Sequence, residues 1–173
     1  MARAPKRCPL CRGPHTLLRE SPVKVLGRTA RALTGVVRRT RRRLLTRRPK
    51  PGEWSATEVL AHLADVELAW GFRIRKIVSE PRPVLTAFDQ EAWARALRYP
   101  RLDPRALFDT FRAVRDSNLR ILRSLAPARR RRVGVHSEAG PIRLDQLVAH
   151  LAEHDLNHLN QIRTTLRSLS GRR

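Results

Sequence analysis

Apolar residues recur at helical spacing in four stretches of the chain, separated by segments rich in proline, glycine and arginine. The first stretch runs over about residues 22–45, with Val25, Leu26, Leu33, Val36, Val37, Leu44 and Leu45 on its apolar side. The second opens in PGEWSATEVLAHL, where Ser55 is placed to cap a helix and Glu58 to complete a capping box. Val59, His62, Leu63, Val66, Trp70, Arg73 and Ile77 then return to one face, as far as Ser79. Residues 80–104 form a long, proline-broken connection that carries a short helix around residues 90–97. Asp103 and Pro104 start the third helix, a cap followed by proline at the first helical position. Leu107, Phe111, Val114, Ile121, Leu122 and Leu125 give its stripe. A basic, glycine-containing connector with hairpin character follows, and the last helix runs over about residues 144–169. No strand pattern appears outside that connector. The class is all-α, most simply a four-helix bundle.

In the last helix, HLAEHDLNHLNQI places His150, His154 and His158 four residues apart. At 100° per residue His154 and His158 fall inside the arc of Leu144, Leu147, Val148, Leu151, Ile162 and Leu169. His150 and Gln161 fall on its flank, so His150 is not expected to act with the other two. A neutral imidazole in a core needs partners for both ring nitrogens. Two of them one turn apart point to a shared divalent cation, because that spacing lets both Nε2 atoms converge on one ion. A third ligand has to come from another element, and His62 faces inward near the start of the second helix. Asp65, Asp155 and Gln161 lie within a turn of these histidines and are candidates for orienting the ligand rings. HDLNH also echoes the HExxH helix of metalloproteases, with Asp155 in the place of the general base. That reading fails: aspartate is one methylene shorter, and no histidine or glutamate follows His158 to serve as a downstream ligand.

Charge changes the picture at one end. The chain of 173 residues carries 37 Lys+Arg against 15 Asp+Glu, a net charge of +22. Residues 1–50 hold 16 of those basic side chains and a single acid, Glu20. Such a balance predicts non-specific affinity for nucleic acid at low salt. No aromatic residue precedes Trp54, so base stacking has nothing to use in this region, and no recognition motif accompanies the charge. Residues 1–21 combine Pro, Gly and Arg with almost no apolar periodicity and are expected to be a disordered or loosely attached basic extension, leaving 22–173 as the bundle. Within that extension Cys8 and Cys11, with His15, look like half a zinc finger, but the chain has no other cysteine to complete one. No apolar run is long enough for a signal peptide or a membrane span, so the expected compartment is the cytoplasm and no membrane partner is expected.

Taken in order, RPKPGEWSATEVLAHLADVE, AFDQEAWA and LVAHLAEHDLNHLNQI resemble the DinB/YfiT-like superfamily over roughly residues 22–169. The resemblance implies an up-down-down-up bundle with a long crossover between the second and third helices. It also implies a divalent ion, nickel or zinc, held by His62, His154 and His158 with positions left open. The activity it implies is that of a metal-dependent enzyme acting on a small electrophilic substrate. That enzyme would be a thiol S-transferase, with bacillithiol, mycothiol or glutathione as the low-molecular-weight thiol, or a hydrolase. Relatives often dimerise, so a homodimer is an expected assembly. Two rival readings stand beside this one: a basic, nucleic-acid-binding helical protein, and a non-catalytic bundle whose metal is structural.

Overall fold

The computed structural model describes Leu10 and residues 16–171. Its elements are α1 (Pro22–Arg39), α2 (Arg42–Thr46), α3 (Ala56–Ser79), β1 (Val84–Leu85), α4 (Gln90–Ala96), α5 (Pro104–Ser124), β2 (Val133–His136), β3 (Gly140–Arg143) and α6 (Leu144–Ser170). The helix starts follow the sequence signals. The Ser55 hydroxyl accepts the Glu58 N–H at 3.2 Å while the Glu58 carboxylate accepts the Ser55 N–H at 2.9 Å, closing the capping box. Asp103 accepts the Ala106 N–H at 3.1 Å ahead of Pro104.

Helix directions follow from the contacts. Gly27 of α1 lies beside Leu119 and Arg123 of α5, whereas Val37 shares a groove with Phe108, so α1 and α5 run antiparallel. On α3, Glu67 meets Arg115 and Gly71 meets Asn118, so α3 and α5 run parallel. His62 meets His158 and Trp70 meets His150, so α6 opposes α3. The order is up-down-down-up. Parallel neighbours in a bundle need a long connection, which is what residues 80–103 provide between α3 and α5. The apolar core forms two clusters. One gathers Trp70, Ile74, Leu119, Leu147 and Leu151. The other gathers Leu60, Leu63, Phe108, Phe111 and Ile162.

The structure departs from the sequence reading in two places. The first helix is not continuous to residue 45: Thr40 and Arg41 are extended, and α2 restarts at Arg42. The break lets α2 turn so that Leu45 is buried in the second cluster, and that burial outweighs the local helical pattern. The second departure is a strand inside the long connection. β1 pairs in parallel with β2, Val84 opposite Val135, and β2 pairs antiparallel with β3 as the hairpin reading expected. Here Gly134 is required by space, since a Cβ would stand 2.8 Å from Leu85 Cδ1. The described part of the N-terminal extension, Leu10 and residues 16–21, touches the bundle. Leu10 and Leu18 pack against the first cluster, and the Leu17 N–H donates to Glu153 Oε1 at 3.0 Å. Cys8, Cys11 and the rest of that extension lie outside the described residues. Among the described residues no helix is long and apolar enough to cross a membrane.

Candidate metal centre

His62 is buried on the inner face of α3, and His154 and His158 reach it from one face of α6. The His154 Nε2 stands 3.0 Å from His62 Nε2 and 3.1 Å from His158 Nε2. One ligand atom from each ring lies within 4.8 Å of the others. These contacts make poor hydrogen bonds, because one ring nitrogen carries at most one proton and here faces two other nitrogens. They suit a shared cation: two imidazoles bound to one ion at about 2.0–2.1 Å bring their nitrogens roughly 3.0–3.4 Å apart. The buried Nδ1 atoms of His62 and His154 have no hydrogen-bond partner among the described residues.

All three rings are shifted toward the neutral form, the form that ligates. Burial, and then His158, pushes His62 from its ordinary value down to about 3. Burial drives His154 well below the usual range, with His158 and His62 adding to it. His158 is lowered by burial too, opposed by its bond to Gln161 and by the charge of Asp155. Its Nδ1–H donates to Gln161 Oε1 at 2.7 Å, which fixes the tautomer and leaves Nε2 with its lone pair inward.

Of the three residues expected to orient the ligand rings, the structure brings only Gln161 onto one. Asp65 accepts instead from the Tyr99 hydroxyl, and burial raises its pKa against that bond. Asp155 turns away from His154. Its carboxylate accepts from Arg115 at 2.6 and 3.1 Å and from the Thr29 hydroxyl at 2.5 Å. Sequence neighbours on a helix point about 100° apart, so adjacency to His154 does not bring Asp155 onto its ring. His150 stacks flat on Trp70, with 5.3 Å between centroids and 8° between planes.

One wall of the site escaped the sequence reading. Trp54 packs edge-on against His62 at 5.5 Å and against Tyr99 at 6.3 Å. Its place just before the Ser55 cap was the signal, since a residue there folds back over the first turns of the helix. Beyond Trp54 a cleft of about 620 Å³ opens on His158, lined also by Gln90, Glu91, Asn157 and Gln161.

The chain is similar to several known proteins. A protein of Oceanobacillus iheyensis named "Putative metal-dependent hydrolase OB0782" is 27% identical over 113 residues, 65% of each chain, so this chain spans just under two thirds of that relative. The solved structure of YfiT from Bacillus subtilis, described as a probable metal-dependent hydrolase with an unusual four-helix bundle topology, superposes with a TM-score of 0.79 at 21% identity, covering 86% of both chains. The mycothiol-dependent maleylpyruvate isomerase superposes at 0.68 with 10% identity, over 86% of this chain and 62% of that one. These two likenesses establish the shared bundle fold. The DinB superfamily matches residues 26–162, well over half of the sequence, with His62, His154 and His158 all inside the matched stretch, and the chain belongs to that superfamily.

Proposed function

We propose that this protein is a metal-dependent enzyme that binds one divalent cation, nickel or zinc, through His62, His154 and His158. It would activate a water or a low-molecular-weight thiol against a small electrophilic substrate. The observation that carries the reading is the convergence of the three Nε2 atoms, one of them on the ring of His158, which lines a cleft. When bound, such a cation supplies Lewis acidity, which lets water or a thiol act as a nucleophile near neutral pH.

The chain's own residues have separable tasks in this scheme. Gln161 holds the His158 ring in the ligating tautomer. Trp54 covers the edge of His62 and keeps bulk water off that side. The cleft offers carboxylate and amide groups from Glu53, Glu91, Gln90, Asn157 and Asn160, which suit a hydroxyl- or amide-bearing reactant. That lining favours transfer of a polar thiol over hydrolysis of a purely apolar substrate. The resemblance of fold to YfiT and to a mycothiol-dependent isomerase supports a reaction in this range.

The test begins with elemental analysis of the purified protein. The metal-loaded form is then assayed with a chromogenic electrophile, in turn with water alone, glutathione, bacillithiol and mycothiol. The reading expects about one metal per chain and turnover that chelation abolishes. Stoichiometric metal with no turnover in any arm, together with a loss of folding on chelation, would favour a structural metal instead.

A further inference from the structure

A polar layer divides the bundle core between its two apolar clusters. Arg115 of α5 is 1% exposed and lies between Glu67 of α3, at 0%, and Asp155 of α6, at 2%. Its guanidinium donates to Glu67 Oε2 at 2.7 Å, to Asp155 Oδ2 at 2.6 Å and Oδ1 at 3.1 Å, and to the Leu26 carbonyl at 2.9 Å. Thr29 of α1 donates its hydroxyl to Asp155, and Asn118 of α5 donates to Glu67 Oε1 at 2.7 Å. All four long helices meet in this layer. Gly71 makes the room for it, since a Cβ there would stand 2.6 Å from Asn118 Nδ2.

Stability alone does not account for such a layer. Buried ionic groups seldom stabilise a fold more than the apolar side chains that could replace them. The layer also sets two carboxylates against one guanidinium, with Arg115 donating to both and Asn118 donating to Glu67. It adjoins the histidines as well, because Asp155 follows His154 directly in α6.

We propose that Glu67, Arg115 and Asp155 form a positioning layer for the metal centre. The grip of Arg115 on Asp155 fixes the rotation of α6 that turns His154 and His158 inward, and the net negative charge of the layer favours a divalent cation beside it. The proposal rests on the metal reading above and assigns a further task to residues outside the ligand set.

Three variants and one wild-type control test it, with zinc affinity measured by chelator competition and Co(II) absorption used as a signature of ligand geometry. Glu67→Gln keeps the size of the side chain and removes the layer's net charge, at the cost of one accepted hydrogen bond, from Arg115 or Asn118. It should weaken zinc binding roughly tenfold and leave the Co(II) spectrum unchanged. The triple variant Glu67→Leu, Arg115→Met, Asp155→Leu should keep or raise the melting temperature of the metal-free protein, yet weaken zinc at least about tenfold and alter the Co(II) spectrum. Asp109→Asn, an exposed charge change elsewhere on α5, should do neither. If the triple variant does not fold, Glu67→Gln decides alone. Folded variants that bind zinc as tightly as wild type, or an equal loss from Asp109→Asn, would overturn the proposal. A wild-type chain that binds no zinc or cobalt would instead sink the metal reading beneath it.

Discussion

Gln161 Oε1 accepts the Nδ1 proton of His158 across 2.7 Å, so an exposed amide one turn along α6 sets which nitrogen of a half-buried ring is free. Removing it should let the ring rotate and change tautomer. Gln161→Ala is expected to weaken zinc binding about ten- to a hundredfold without a matching fall in the stability of the metal-free protein. A chelator-competition titration checks the affinity and a thermal scan of the metal-free form checks the fold. Unchanged affinity would remove Gln161 from the site.

His150 belongs to the same run of histidines but stacks on Trp70. His150→Ala should therefore keep the metal content of the wild type, at the cost of a modest packing loss against the indole. Elemental analysis of the two proteins side by side is the check. Loss of the metal from that change alone would contradict the ligand assignment.

Acid should destabilise the metal-free protein through the same three rings. The folded-state pKa of His62, about 3, lies below its unfolded value near 6.5. Between these values the unfolded chain binds the proton that the folded one refuses. Stability is thus fully present above pH about 6.5 and lost as pH falls toward 3. For His62 the slope approaches about 1.4 kcal/mol per pH unit. His154 and His158 act in the same direction. Melting temperatures of the chelated wild type should fall steadily from pH 7 to pH 4, and more steeply than those of His62→Ala. Parallel curves for the two proteins would contradict this.

Much of this arrangement is legible in the sequence, because local rules dictate it. Ser55 with Glu58 marks the start of α3, Asp103 with Pro104 marks α5, and the four-residue step from His154 to His158 already places both on the core stripe. What the sequence hides depends on partners far along the chain. β1 is two residues long, too short to show a period, and exists through its pairing with Val135 and His136. The break at Thr40 follows from where Leu45 finds its cluster. The Glu67–Arg115–Asp155 layer did leave a trace: Phe111, Arg115, Asn118 and Leu122 share one helical face, so two polar residues occupy core positions there. Taken singly, each reads as a surface residue.

The basic surface makes its own prediction. Arg38, Arg39, Arg41, Arg42, Arg43 and Arg47 are all exposed along the end of α1 and through α2. A labelled DNA duplex should bind at low salt with little sequence preference, and binding should fade toward physiological salt as counterion release weakens. Fluorescence anisotropy across a salt series reads this. Tight binding that survives about 0.15 M salt and depends on sequence would promote nucleic-acid recognition from a consequence of charge to a function.

Metal content of the single-histidine variants tests the ligand set most directly. Purified wild type should carry about one divalent ion per chain. His62→Ala, His154→Ala and His158→Ala should each lose most of it, since two remaining imidazoles make a weak site. Each variant should also lose the metal-dependent rise in melting temperature, because the ion stabilises only the folded form. Full metal content in His62→Ala, with loss in the other two, would place the third ligand elsewhere and contradict the centre built from α3 and α6.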